Sequence, residues 1–312
     1  MKALSWITKD TSFDFMKMRK FTCALSLIAI ALSIAVIVTR GFSYGIDFSG
    51  GILIEIKSEQ KIDVEDLRTK LSTLDLDEVN IQSIGELEDE AMIRTLAKDM
   101  NEKEQMEVVN KIKDLLKEDH FEFRRVDLVG PQVGDELKKD AIIASIVAVL
   151  ALSLYIWVRF EWQFALGALV GLTFDLILIC GLLALFDMEF TLTTIAAILT
   201  MAGYTINDKV VTYDRIRENL RKFKKMPQLD LINKSLNDIL SRTFLTGITT
   251  LFASGALFVF GGDSLRSFSF VITFGIVIGT YSSLYIGTVF LNFFDLKDAF
   301  EEKKVNPFGS VD

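Results

Sequence analysis

Apolar runs recur six times along the chain, at roughly 21–39, 140–158, 162–186, 189–212, 243–261 and 267–293. Between the first and the second, the pattern breaks into short alternations. Each run holds about 18 or more mostly apolar residues, enough to cross ~30 Å of hydrocarbon as a helix. Residues 141–158 (AIIASIVAVLALSLYIWV) carry no charge at all, a run that soluble cores rarely need. The pattern predicts an α-helical polytopic membrane protein with six transmembrane helices.

Residues 41–138 alternate differently. Ile52–Lys57 reads as a strand, and Val64–Leu74 as a helix opened by Asp63, a residue type that caps helix N-termini. Val79–Ile84 and Ala91–Ala97 read as two more strands, and Phe121–Val129 as a fourth. Glu102–Leu116 repeats Met106, Val109, Ile112, Leu115 and Leu116 at helical spacing. The order β-α-β-β-α-β is the split βαβ, ferredoxin-like arrangement, so a small α+β domain is expected between the first and second spans. Two helices on one face of a four-stranded sheet bury a core in a segment of this length. The fold is too widely used to name an activity; here it reads as a handle for protein contact outside the membrane. The expected division is 1–40 (N-terminus and first span), 41–138 (the α+β domain), 139–294 (five further spans) and 295–312 (tail).

Glycines mark the joints. Gly45-Ile46-Asp47-Phe48-Ser49-Gly50-Gly51 predicts a tight turn where the chain leaves the membrane, and it lacks the spacings of phosphate-binding loops. Residues 129–134 (VGPQVG) form a turn-rich return to the second span. In the third span Gly167, Gly171 and Asp175 share one helical face, so a neighbouring helix is expected to approach closely there, with a carboxyl at the end of the stripe. Gly275 and Gly279 make a similar stripe in the last span. For the glycines themselves, ordinary bundle packing is the expected role.

Charge sets orientation. The net charge of −8 is uneven, with most of the acid excess in 41–138. Lys2, Lys9, Lys17, Arg19 and Lys20 precede the first span, and nine Lys or Arg from Lys209 to Arg242 lie at the junction of the fourth and fifth. By the positive-inside rule both termini are cytoplasmic and 41–138 faces the other side, consistent with an even number of spans. Residues 1–40 read as an uncleaved signal anchor, since 39–42 (TRGF) is a poor cleavage site. Cys23 and Cys180 lie inside spans, where neither a disulfide framework nor metal-ligand spacing arises. With one histidine, His120, and no Ser-His-Asp candidate, enzymatic chemistry is not expected; nor is a cofactor, a metal site or a nucleic-acid partner.

Intramembrane charges carry the functional expectation. Asp175 lies near the middle of the third span, Asp208 toward the cytoplasmic end of the fourth, and Arg242 at the start of the fifth. Asp208 and Arg242 should therefore share a depth and be able to pair, with Tyr204, Thr205 and Thr212 as a polar strip beside the acid. A carboxyl group in low dielectric favours its neutral form, and an approaching guanidinium favours the charged one. Relative movement of the two would thus load and unload a proton, and one charge crossing 100 mV carries about 2.3 kcal/mol. The competing expectation is a static ion pair stitching spans four and five. Functional use of intramembrane acids favours the relay for Asp208, while Asp175 divides evenly between relay and hydrogen bonding in the core. Asp214, Arg215, Arg217 and Glu218 read as a solvated helix end.

GIDFSGG at 45–51, GYTIND at 203–208 followed by DRIREN at 214–219, Ser241-Arg242-Thr243 with Leu245-Thr246, and Gly279-Thr280-Tyr281-Ser282-Ser283 together carry a resemblance. Over nearly its whole length the chain resembles the SecF family, membrane subunits of the bacterial SecD–SecF export complex in the resistance-nodulation-division superfamily. The resemblance implies a multi-pass protein of the bacterial cytoplasmic (inner) membrane with a periplasmic first domain. It also implies a SecD subunit and the SecYEG translocon as partners, and use of the proton-motive force on translocating preproteins. Asp208, Arg242 and Asp175 fall on the family's relay positions; Gly45, Asp47, Gly50, Gly51, Gly203, Asn207, Asp214 and Arg215 fall on its motifs. Two positions depart. Phe174 stands where the family commonly has His, which argues against a histidine-assisted relay. Lys209 stands where a small polar residue is usual; about 100° around the helix from Asp208, it either snorkels to the interface or biases Asp208 toward its charged form. The alternatives are half of a proton-driven small-molecule efflux permease, whose known members are far longer, and a purely structural assembly subunit.

Overall fold

In the computed structural model, residues 12–296 are described, apart from 59, 75, 77, 78, 85–88, 96–99, 101, 118–120, 263 and 264. His120 and the tail beyond residue 296 therefore lie outside the described residues. Helix α1 (Arg19–Arg40) is followed by a short turn α2 (Ile46–Ser49), then by β1 (Gly51–Lys57), α3 (Val64–Ser72), β2 (Val79–Ile84), β3 (Glu90–Thr95), α4 (Glu102–Leu116) and β4 (Glu122–Val129). The remaining elements are long helices: α5 (Pro131–Arg159), α6 (Trp162–Leu185), α7 (Leu192–Lys222), α8 (Gln228–Phe260) and α9 (Arg266–Tyr281). A π-helical turn, Ser282–Ile286, leads on into α10 (Gly287–Leu291).

The four strands form one antiparallel sheet in the order β2-β3-β1-β4. Strand alternation sends Ile52, Ile54 and Ile56 of β1 and Ile93 of β3 to one face, where they bury against Leu67 and Leu71 of α3 and Val109, Ile112 and Leu116 of α4. Asp63 caps α3 as expected, its carboxylate accepting from the Glu65 amide at 2.9 Å. The third strand is described from Glu90 to Thr95, the last two positions expected for it lying outside the described residues, and α3 stops at Ser72. The other sheet face, with Leu53, Glu55, Met92, Arg125 and Asp127, roofs a cavity of about 690 Å³ whose floor includes Asp187, Glu189 and Thr193 of the bundle.

Among the described residues, five helical segments are long and apolar enough to cross a membrane: Met16–Arg40, α5, α6, α8 and Arg266–Leu291. The expected fourth span, α7, is long enough at 31 residues but too polar to join them, because Asn207, Asp208 and Lys209 sit in its middle. Several helices also extend past the apolar runs that announced them. Pro131 opens α5, its missing N–H harmless in a first turn, so the second span begins well before residue 140. Helix α8 begins at Gln228, which puts Arg242 inside a continuous helix rather than at its start.

In the bundle, α6 is central: Phe164, Ala168, Leu172, Phe174, Ile179 and Leu183 are all buried, whereas α1 and α5 turn most of their apolar residues outward. A multi-pass protein surrounded by lipid needs no polar outer face on such helices. The glycine stripe of α9 is filled from α7, Gly275 by Met201 and Gly279 by Thr205, consistent with close packing.

Candidate functional site

The most deeply buried charges lie midway along α6 and α7. Lys209 Nζ donates to Asp175 Oδ2 at 2.7 Å, and neither side chain is exposed at all. Glycine makes this possible. A Cβ on Gly171 would come 2.5 Å from Lys209 Cε, so the missing methyl is the niche the lysine occupies. One turn along, Gly167 receives the Tyr213 hydroxyl, which a Cβ there would approach to 3.0 Å. The stripe Gly167, Gly171, Asp175 thus admits two long side chains from α7 and, at Gly167, the close approach of the α10 backbone at Gly287, which a Cβ on Gly167 would meet at 3.1 Å. Of the two readings of Lys209, snorkelling to the interface is overturned: the offset of about 100° from Asp208 aims it inward at α6, where it pairs with Asp175, while its charge still acts on Asp208.

Two polar atoms in this layer lack partners. Asp175 Oδ1 and the Tyr213 hydroxyl are buried with no hydrogen bond among the described residues. The π-helical turn lies alongside, with Ser282 Oγ reaching the Gly171 carbonyl at 3.5 Å. Such turns shift the backbone register and are common at functional sites.

Asp208 sits on the next face of α7, only 7 % exposed, and its Oδ2 has no hydrogen-bond partner among the described residues. The cations whose charges act on it are Lys209 and Arg242, yet no ion pair joins it to Arg242. Arg242 is exposed on α8, the helix beside it. Of the three expected relay residues the structure pairs Asp175 with Lys209 and leaves Asp208 uncommitted. In the polar strip, Thr205 and Thr212 are buried and turn their hydroxyls to helix carbonyls; Tyr204 meets Thr250 of α8 at 3.5 Å. Gly203 and Asn207 lie on an exposed line of α7 with Thr193, Ala196 and Thr200.

Further along α7, the segment expected to be solvated is braced. Arg159 meets Asp214 at 2.9 Å, Arg217 meets Glu161 at 3.1 Å, and Arg215 meets Asp238 at 2.9 Å. Asn219, nearly fully buried, donates to Ser235 Oγ at 2.9 Å and to Asp238 Oδ2 at 3.1 Å. Burial opposes ionisation of Asp238, but the hydrogen bonds from Asn219 and Arg215 outweigh it and hold the carboxyl below its ordinary range.

At the opposite end, the glycine turn is a joint. Asp47 Oδ2 accepts from the Leu192 amide, 2.9 Å away, at the open N-terminus of α7. Phe190 is clasped by the chain before it, donating to Ser43 at 2.7 Å and accepting from Gly45 at 3.0 Å. Arg94 of β3 pairs with Glu189. Gly50 adopts φ +69° against Pro131, and Gly51 φ +136°, conformations that favour glycine. The sheet domain is therefore tied directly to the helix that carries Asp208.

This arrangement has known counterparts. Residues 108–297 match the family described as "Protein export membrane protein SecD/SecF, C-terminal", and residues 35–62 match the "SecD/SecF GG Motif". The chain belongs to the SecD/SecF family. The matched motif contains Asp47, Gly50 and Gly51, the joint just described. The "Protein translocase subunit SecF" of Rickettsia conorii is 45% identical over 93% of this chain and 94% of its own length. That of Cereibacter sphaeroides is 44% identical over 89% and 88%. A crystal structure of SecDF from Thermus thermophilus, titled a translocon-associated membrane protein, superposes with a TM-score of 0.81 at 32% identity. The match covers 95% of this chain and 39% of that one. SecDF in a super-membrane-facing form gives 0.67.

Among SecD/SecF features, the joint at Asp47 was visible in sequence only as a turn, since its partner lies 145 residues away. The buried pair of Lys209 carried one signal, a lysine in an apolar segment four positions before Tyr213 and opposite a glycine stripe. Asp238 and Glu161 carried none that sets them apart from surface acids.

Proposed function

We propose that this chain is an accessory subunit of the Sec protein-export machinery. In this reading it works with a SecD subunit to couple the proton-motive force to preprotein translocation across the bacterial inner membrane. The supporting observation is Asp208: a carboxyl group near the middle of a long helix, almost wholly buried, with one oxygen unpartnered and a guanidinium on the adjacent helix not yet engaged. An acid in that state takes up a proton when its cation is distant and releases it when the cation closes. Arg242 is that cation.

In this reading α7 is the fourth of six spans, its charges sheltered by protein, and the antiparallel sheet with its two helices is a ferredoxin-like domain on the periplasmic side. Both termini are cytoplasmic. The exposed line of Thr193, Ala196, Thr200, Gly203 and Asn207 is then the face that SecD covers, since small residues allow close helix approach in a membrane. The SecDF chain that this one matches over 39% of its length has room for such a second half. SecYEG and translocating preproteins are the further partners, met by the outer domain, and lipid surrounds α1 and α5.

The test is D208N in membranes containing SecD. Export of a periplasmic preprotein and preprotein-dependent proton uptake should both fall at least tenfold while the complex assembles normally. Unchanged export with unchanged uptake would leave only a structural subunit. Impaired drug resistance with intact secretion would point to efflux instead.

A further inference from the structure

We propose that Lys209 is the resident counter-ion of Asp175, so that the acid of α6 is a fixed charge that positions α7 and carries no proton, leaving Asp208 as the carrier. This rests on the relay reading above and divides its labour. The Nζ–Oδ2 distance of 2.7 Å, with both side chains fully buried, makes the pair neutral as a unit. Removing either member would strand a bare charge among Leu172, Ile206 and the other apolar side chains of the bundle core. The site is also shaped for the lysine: Gly171 leaves the space its Cε fills, and Ser282 closes that space from the π-helical turn.

The groups around the pair are Tyr213 on α7, Ser282 beside α9 and, one residue along, Asp208; among the described residues no second cation contacts Asp175. Asp175 Oδ1 and the Tyr213 hydroxyl are both buried without hydrogen-bond partners among the described residues. Lys209 is thus a positioning residue. It holds α7 in the rotation at which Asp208 lies on a different face, free to meet Arg242.

The experiment compares D175N, K209M and the double variant D175N/K209M in the full chain, co-expressed with SecD. Each single variant should lower accumulation or export about tenfold, because each leaves one buried charge unpaired. The double variant should return export and preprotein-dependent proton uptake to within about threefold of the parent, since a neutral pair replaces a neutral pair. A double variant that accumulates and assembles but neither exports nor takes up protons would overturn the proposal, because Asp175 would then be carrying protons itself. Infrared difference spectra of the parent complex and of D175E across a pH titration decide the matter without a double variant. A protonated-carboxyl band unmoved by D175E supports a fixed charge; a band that shifts with it refutes one. If D208N exports normally the relay reading fails, yet the rescue pattern of the pair still reads out in accumulation.

Discussion

Midway along α7, Lys209 meets Asp175 with neither side chain exposed; farther along the same helix, Arg215 meets Asp238 with 33 % and 19 % of their side chains open to solvent. Both bridges join α7 to a neighbouring helix, and both are short. What separates them is access to water. The first pair makes no second ion pair among the described residues, so its loss carries the full penalty of an unpaired buried charge. The second sits in a network with Asn219, Ser235 and Glu218, where solvent and neighbours take over part of the lost interaction. The contrast separates a pair that fixes geometry from pairs that brace a helix end.

The comparison is sharpened most by breaking the buried pair. Lys209→Met alone should destabilise the purified protein by about 3–5 kcal/mol, read as a lowered melting temperature in detergent. A loss no larger than that of Arg215→Met would erase the distinction. Next, Gly171→Ala keeps both charges but puts a methyl where Lys209 Cε lies, and should cost about 1–3 kcal/mol by the same assay.

Asp238→Asn should cost about 1 kcal/mol, since Asn219 and Arg215 lose a charged acceptor but remain near water. The pH dependence has a definite sign. The folded carboxyl of Asp238 titrates below its unfolded counterpart, so its contribution is present above about pH 4 and is lost as the pH falls through the folded value. Melting curves of Asp238→Asn should therefore converge on the parent's as the pH drops, and keep a separation that does not shrink if the carboxyl is not depressed. The smallest effect belongs to the sheet domain: Lys117 and Asp114 are 75 % and 70 % exposed, and Lys117→Ala should leave melting unchanged within error.

Much of this architecture was readable from pattern. Apolar runs placed α1, α5, α6, α8 and α9 because a lipid-facing helix must be apolar over its whole crossing. Alternation placed β1, β2 and β4, and the Asp63 cap and the helical spacing of 102–116 placed α3 and α4. Helix ends were less legible: α7 and α8 run on past the hydrocarbon as polar helices, where periodicity competes with no apolar signal. In the candidate site, Asp208 stood out for its cost in a membrane. Its freedom from Arg242 did not, since pairing across helices depends on their relative rotation.

By itself the sequence determined which segments prefer hydrocarbon, which strands alternate, and which few charges a bilayer would have to shelter. Those follow from local composition and a fixed helical or strand period. Tertiary structure alone decided that Lys209 turns to Asp175, that Tyr213 lies on Gly167, and that Asp47 meets the start of α7. Each joins residues 34 to 145 apart in the chain, or rests on a gap left by a missing Cβ. Such contacts depend on the distance and rotation between packed helices, quantities no stretch of neighbouring residues encodes.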